Sequence, residues 1–130
     1  MIVDITNEVL TNLKTTLEDV TVLTAYPSTT PKFPCVIVEE MSNNSYELSI
    51  DSAGQHHNEV SFEINIFSNA RNKMTQVKSI RNLVDAIMAD EYRMTRDFSG
   101  ATPNFLDNDI YRYTMRYSCV LDNDKVIYRR

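Results

Sequence analysis

Glycine is scarce in this chain: Gly54 and Gly100 are the only two among 130 residues. Phosphate-binding loops and dinucleotide-binding turns need several closely spaced glycines, because the backbone must approach the phosphates closely. The sequence therefore excludes nucleotide chemistry of both types. No serine or cysteine lies in a nucleophile signature, so we expect no catalytic residue, metal site or cofactor.

Long apolar runs and clustered basic residues are also lacking. No uninterrupted apolar run is longer than residues 35–38, whereas a membrane-spanning helix needs about 20 apolar residues. The N-terminus begins Met-Ile-Val-Asp without a basic segment, which does not resemble a signal peptide. The net charge is −5, and no basic stripe indicates sequence-specific binding to nucleic acid. We expect a protein made in the cytoplasm, without a membrane partner.

Cysteine is as scarce as glycine. Cys35 and Cys119 each lie among apolar neighbours inside a predicted strand. Unpaired cysteine is among the most frequently buried residue types, so both are predicted to be small core side chains and not a disulfide. The chain is long enough to form one hydrophobic core without a disulfide or a metal. We expect a single domain over residues 1–130.

Two stretches have the apolar spacing of amphipathic helices. The first helix is predicted over residues 5–18, with Asp4 placed to accept N–H groups of its first turn. The second follows a turn at residues 69–72, and its apolar stripe is predicted to pack on a sheet. That stripe comprises Met74, Val77, Ile80, Leu83, Val84, Ile87 and Met88.

Two further stretches, residues 59–68 and 109–121, alternate apolar and polar residues, the pattern of strands with one buried face. A sheet buried on one side, together with two amphipathic helices, predicts the α+β class. We expect a two-layer sandwich, with both helices on one face of a mixed, mainly antiparallel sheet. Shorter strands are predicted at residues 20–26, 35–41, 46–50 and 92–98, and a loop at 99–108.

Three prolines, Pro27, Pro31 and Pro34, lie between the first two predicted strands. They hold this segment extended and exclude a helix. The strand that follows ends in Glu39 and Glu40, which face opposite ways, so at most one of them points toward the helices. A charge without a partner is costly there, and we expect the strand to leave the core at this point.

A polar loop is predicted over residues 51–58 and contains two adjacent histidines. One interpretation is that Asp51, His57 and Glu59 together form a general-base site, which would suit a small cytoplasmic enzyme. His56 and His57 point apart in an extended segment, so they are poorly placed to hold one metal ion together. A solvated loop and a contact to a partner protein are the other interpretations of Asp51, His56 and His57.

The second predicted helix carries Arg81 and Asp85 one turn apart, at the edge of its apolar stripe. Residues four apart on a helix are neighbours, so an ion pair within the helix is one interpretation. Basic residues gather toward the start of this helix and acids toward its end, which opposes the helix dipole. The stability of the helix itself does not explain that order. The second interpretation is that Arg81 and Asp85 form ion pairs with another subunit.

The face of the sheet predicted to point away from the helices is polar. It carries Glu63 and Asn65 on one strand and Arg112, Thr114 and Arg116 on another. If these strands are neighbours, Glu63 pairs with an arginine across them. A solvated face is one interpretation, and a face turned toward another subunit or a central channel is the other.

Five segments follow one another between residues 5 and 121: ITNEVLTNLKTTL, YPSTTPKFPCVIVEE, NEVSFEINIFSNARNKMTQVKSIRNLVDAIM, YRMTRDF and IYRYTMRYSCVL. Their layout resembles that of small tail-completion proteins from phages of Gram-positive bacteria, and their size and order are similar to those of lambda-like tail terminators. The resemblance implies a structural role without catalytic residues. Such proteins form a ring, usually of six copies, which stops growth of the tail tube.

The resemblance also implies partners and a location. The homo-oligomeric ring would bind the tail tube protein on one side and the head–tail connector or a neck protein on the other, in the virion after assembly in the host cytoplasm. Genomic DNA would traverse its lumen without sequence-specific binding. A neighbouring neck ring and the cap of a phage-tail-like particle are the alternatives. Residues 122–130, which include Tyr128, are a candidate C-terminal arm that contacts a neighbouring subunit.

Overall fold

The computed structural model describes residues 2–45, 57–102, 109–122 and 124–128. The predicted strand at 46–50, and most of the predicted loops at 51–58 and 99–108, lie outside the described residues. The elements in chain order are α1 (Thr6–Thr16), β1 (Thr21–Leu23), β2 (Cys35–Ser45), β3 (His57–Ser68), α2 (Lys73–Asp85), a π-helical continuation of α2 (Ala86–Glu91), β4 (Thr95–Thr102), β5 (Tyr111–Asp122) and β6 (Ile127–Tyr128).

The strands form one mixed sheet in the order β1-β2-β3-β5-β4, and β6 pairs with the end of β5. Strand β1 runs parallel to β2, and the other described pairings are antiparallel. Helix α1 packs on β1 and β2, and α2 packs on β3 and β5, on the same side of the sheet. The fold is therefore the predicted α+β two-layer sandwich.

The hydrophobic core lies between the helices and alternate side chains of the sheet. Because side chains of a strand point to opposite faces in turn, the alternation predicted for β3 and β5 places every second residue in this core. The prediction is confirmed in both strands. The buried residues are Val60, Phe62, Ile64 and Ile66 in β3, and Tyr113, Met115, Tyr117, Cys119 and Leu121 in β5.

Helix α2 buries a narrower stripe than predicted. Val77, Ile80 and Val84 are buried against the sheet, and the stripe continues into the π-helical segment. Met74 and Leu83 are instead 53% and 46% exposed. Each lies roughly 80–100° around the helix from Val84, at opposite margins of the stripe, because successive residues advance by about 100°. Their assignment to the buried stripe was wrong.

Strand β4 begins and ends later than predicted. The N–H groups of Tyr92 and Met94 donate to the carbonyls of Ile87 and Met88, each over 2.9 Å, which holds residues 92–94 against the end of the helix. The strand therefore starts at Thr95 and continues through positions 99–102, which were predicted as a loop, because these positions pair with β5.

The start of α1 is stabilised as predicted. The Oδ1 atom of Asp4 accepts the backbone N–H of Thr6 over 2.8 Å and its hydroxyl over 2.6 Å. The first N–H groups of a helix have no partner within the helix, so a carboxylate here satisfies one of them. These hydrogen bonds lower the pKa of Asp4.

Strand β2 has no buried side chain from Glu39 to Asn44, as predicted, but it remains paired with β3 as far as Ser45, past a bulge between Glu40 and Ser42. Glu40 is half-buried beside Asp4. Burial raises the pKa of the Glu40 carboxyl, and the charge of Asp4 raises it further. A carboxyl whose pKa is raised by folding destabilises the fold when it is ionised.

Replacing Glu40 with glutamine is therefore expected to raise the free energy of unfolding at pH 7. The gain should shrink as the pH falls from the raised pKa toward the ordinary value of about 4.3, because the wild-type carboxyl then also becomes neutral. Urea unfolding at pH 7 and at about pH 4 measures both effects. Glu39→Gln, on the opposite face of β2, is the control. If the free energy of unfolding rose equally in the two variants, burial of the Glu40 carboxyl would not be the cause.

Candidate interaction surface

The face of the sheet turned away from the helices carries a row of hydrogen-bonded polar side chains. Glu63 of β3 lies directly opposite Arg116 of β5, and Arg116 Nε donates to Glu63 Oε2 over 2.9 Å. The predicted ion pair across the strands is confirmed. Alternation places both residues on this face, and the antiparallel register places them side by side.

Asn65 connects this ion pair to the next residues of β5. Its Nδ2 donates to Glu63 Oε1 over 3.0 Å, and its Oδ1 accepts from Arg112 Nε over 3.0 Å and from the Thr114 hydroxyl over 2.7 Å. The Thr102 hydroxyl of β4 donates in turn to Thr114 over 2.5 Å. Asn65 is fully buried although no helix covers it. The hydrogen bonds satisfy this buried amide and join three strands.

The same contacts control the ionisation of Glu63. Burial acts to raise the pKa of its carboxyl, but the hydrogen bonds from Asn65 and Arg116 outweigh burial. The pKa of Glu63 is therefore lower than its ordinary value. The carboxylate stays charged and holds Arg116 in position on this face.

Two arginines of this face stack on aromatic rings. Arg112 lies over Phe67 at 5.6 Å from the ring centroid, and Arg116 lies over Phe98 at 5.5 Å. Phe98, on edge strand β4, is 43% exposed. Its ring also covers Gly100, where a Cβ atom would lie only 3.3 Å from Phe98 Cζ. A side chain at this position would crowd the Phe98 ring, and glycine leaves room for it.

The proline-rich segment covers the other end of this face. The ring of Tyr26 meets that of Phe67 edge-on, with centroids 6.3 Å apart. Between the segment and the sheet lies an open cleft of about 410 Å³, whose walls include Tyr26, Pro31, Phe33 and Phe67. The prolines of this segment fix φ at their own positions and so restrict its backbone.

Arg81 does not pair with Asp85. Its Nε and one terminal nitrogen donate to Asn82 Oδ1 over 3.2 and 3.1 Å. Its guanidinium also lies over Tyr113 at 5.3 Å and donates to the Tyr113 hydroxyl over 3.4 Å. The interpretation of Arg81 and Asp85 as an ion pair within the helix was therefore wrong. Tyrosines of β5 and an arginine of β4 reach this edge of α2 and bind the two residues instead.

Asp85 is held by residues of the sheet. The hydroxyl of Tyr117 donates to Asp85 Oδ1 over 2.7 Å, and Arg96 contacts Asp85 Oδ2 over 3.0 Å. Burial raises the pKa of Tyr117, and the hydrogen bond to Asp85 raises it further. Sequence reasoning missed this cluster. The available signal was that a buried tyrosine needs a polar partner for its hydroxyl.

The remaining candidate residues belong to the polar loop and the C-terminus. Asp51 and His56 lie outside the described residues. His57 opens β3, two positions before Glu59, so both face the same side of the sheet as Glu63. Tyr128 lies in β6 and pairs with Val120 of the same chain.

The described residues contain no group of three or more histidine, cysteine, aspartate or glutamate side chains arranged to hold a metal ion. Cys35 and Cys119 are buried, as predicted, and both are free. Burial raises the pKa of both thiols, that of Cys119 to about 11. No helix in the described ranges is long and apolar enough to cross a membrane.

Comparison with known proteins leaves the chain without a family assignment. No protein-family model matches the sequence, and a search of curated proteins finds no match.

Proposed function

We propose that this chain is a structural virion protein, a subunit of a ring that caps a phage tail tube. The ring, of six copies in the family that the sequence resembles, ends polymerisation of the tube and provides the interface to the head–tail connector. The order of the sequence segments supports this proposal, as does an α+β sandwich of this size. The role is mechanical and requires no catalytic residue.

The observation that carries the proposal is the face of the sheet left open by the helices. It combines an ordered polar network around buried Asn65 with arginines stacked on aromatic rings, one of which, Phe98, is exposed. Arginine and aromatic side chains are enriched at protein interfaces and among the residues that dominate binding. A protein whose work is to bind copies of itself and two partners needs such surfaces.

The net charge suits the proposed passage of DNA. Each copy carries a formal charge of −5, and a ring multiplies it by the number of copies. Acidic groups toward the lumen would repel phosphates and let DNA pass without adhering. A neck ring, or the cap of a phage-tail-like particle, would use the same surfaces on different partners.

Electron microscopy of the purified chain, alone and mixed with tail tubes of the same phage, tests the proposal. We expect a ring with a central hole on one end of each tube, and tubes that stop growing once capped. Light scattering after size-exclusion chromatography gives the copy number. A chain that stays monomeric at every concentration and leaves growing tubes unbound would overturn the proposal. Binding to the connector alone would favour the neck ring.

A further inference from the structure

Strand β4 forms an open edge of the sheet. It pairs with β5 on one side, and no described strand pairs with its other side. The unpaired N–H and C=O groups of an edge strand can pair with a further strand, and proteins usually prevent this with charges, prolines or bulges. A bulge lies between Arg96 and Phe98, but residues 98–102 beyond it carry neither a charge nor a proline. This part of β4 can therefore accept an added strand.

The helix side of this edge is basic. Arg81 of α2 donates to the Tyr113 hydroxyl, which also shares a hydrogen bond of 2.7 Å with Ser99 of β4. Burial acts to raise the pKa of Tyr113, but these hydrogen bonds and the positive charges of Arg81 and Arg96 outweigh burial and lower it. Both guanidinium groups therefore act at one place, where α2 meets β4.

Two of the positive charges at this edge have no acidic partner. Lys78 lies three residues before Arg81 on α2, and residues three apart on a helix are neighbours. Arg96 pairs with Asp85 over 3.0 Å, whereas neither Lys78 nor Arg81 takes part in an ion pair within the described chain. Acidic side chains on the helix side of an added strand would therefore be stabilised.

The other side of the same edge is apolar. Phe98 lies on the face of the sheet that no helix covers, and 43% of the residue is exposed. Gly100, two positions further along this face, has no side chain. An apolar side chain of an added strand would pack beside the Phe98 ring and remove it from water. The edge thus fits a strand with acids on one side and apolar residues on the other.

The sequence YELSID, residues 46–51, has this pattern. It directly follows β2 and lies outside the described residues. Its apolar and polar residues alternate, so an extended conformation would direct them to opposite sides. The apolar set is Tyr46, Leu48 and Ile50, and the polar set is Glu47, Ser49 and Asp51.

Strand order disfavours this segment of the same chain as the occupant. The segment follows Ser45 at the end of β2, and both β3 and β5 lie between β2 and β4. Crossing from β2 to β4 takes about 14 Å, whereas six extended residues span about 20 Å. Only about two residues would remain to pair with β4. A second copy can present its whole segment, because strand order does not restrict its position.

We infer that residues 46–51 of one copy add as a strand to the β4 edge of the next copy. The two acids face Arg81 and Lys78 of that neighbour, and the apolar side chains pack beside its Phe98. The inference rests on the proposed ring and names the surfaces of its subunit contact. Each copy uses two different surfaces, its segment and its β4 edge, so the contacts can continue around a closed ring.

Charge exchange tests the contact. One variant carries Glu47→Lys and Asp51→Lys, and a second carries Lys78→Glu and Arg81→Glu. Each is expected to weaken self-association by about tenfold or more, because like charges then face each other. Combining all four substitutions should recover assembly, since lysines again face acids. Light scattering on the free chain, or occupancy of tube ends, measures the change.

A matched control replaces two exposed acids elsewhere, with Glu18→Lys and Asp90→Lys, and changes the net charge by the same amount as the first variant. It should assemble as the wild type does. Equal assembly of all these variants, or a fourfold variant that keeps its circular dichroism spectrum without recovering assembly, would overturn the inference.

Cross-linking tests the same contact without changing a charge. The native cysteines are buried, so a chain carrying Ser49→Cys and Ala101→Cys gains one thiol in the segment and one on the helix side of β4. After oxidation we expect a covalent ladder that ends at the copy number of the ring, and no ladder from either single variant. A dimer from Ala101→Cys alone would indicate pairing of two β4 strands, and an internal disulfide in a monomer would place the segment on its own sheet. Either result would overturn the inference.

Failure of this contact can be distinguished from failure of the ring. Rings seen by microscopy without a covalent ladder would overturn the contact and leave the proposed function standing. Absence of any assembly by the wild-type chain, with tubes present, would overturn both.

Discussion

Replacing Phe62 with alanine is expected to lower the free energy of unfolding by about 3–5 kcal/mol, the range for large aromatic side chains removed from a core. Phe62 is fully buried in β3 and pairs across the strands with Tyr117, which is also fully buried. The packed helices allow little collapse around the lost ring, so the cavity adds to the lost burial. Urea unfolding followed by circular dichroism measures the change.

Phe98→Ala is the matched control, because it removes the same side chain from the open face. The free energy of unfolding should fall by about 1 kcal/mol or less, since the ring is partly exposed and contacts Arg116 and Gly100. The same variant should weaken self-association, which Phe62→Ala would affect only through unfolding. A loss of stability at Phe98 as large as that at Phe62 would contradict the division of the sheet into a core face and an open face.

The layers of the fold could be predicted because alternation and helical spacing are properties of a single element. Val60 to Ile66 and Tyr113 to Leu121 repeat every second residue, so each strand specifies its own buried face. The pairing order of the strands is a property of the whole sheet, and the alternation of one strand contains no information on its neighbour. The ion pair of Glu63 could therefore be predicted only on the condition that β3 and β5 are neighbours.

Boundaries and helix-edge contacts were predicted less well. The start of β4 depends on hydrogen bonds from Tyr92 and Met94 back to the helix, and these form only once the helix ends as a π-helical segment. Arg81 and Asp85 lie one turn apart, but residues from β4 and β5 compete for both of them. Spacing along a helix identifies possible partners within that helix and none from the sheet beneath it.

The residues of the open face could be predicted from the sequence, but their burial and their contacts could not. Alternation placed Asn65, Arg112 and Thr114 on the open face. It did not predict the burial of Asn65, whose amide is hydrogen-bonded to side chains of both β3 and β5. Phe98 was placed at the end of a strand, and its packing on Gly100 depends on both residues lying in β4. The cleft depends on the path of the proline-rich segment, which its prolines restrict but do not determine.

Replacing Asn65 with alanine is expected to lower the free energy of unfolding by about 2–3 kcal/mol, because it leaves several polar partners without a hydrogen bond. Glu63 loses a donor, while Arg112 and Thr114 lose their acceptor. Thr102→Val removes one hydroxyl from the end of the same network without changing its shape, and should cost about 1 kcal/mol. Urea unfolding of both variants at pH 7 measures the difference.

The pH dependence of the Asn65→Ala variant separates loss of the network from simple loss of packing. Because the pKa of Glu63 is lowered in the folded chain, its carboxylate contributes stability that is present above the ordinary value of about 4.3 and is lost as the pH falls. The hydrogen bond from Asn65 is one cause of that lowering, so the variant should lose less stability than the wild type between pH 7 and pH 3. Thr102→Val, which does not contact Glu63, should keep the wild-type slope. Parallel pH profiles for all three proteins would show that Asn65 acts through packing and not through the carboxylate.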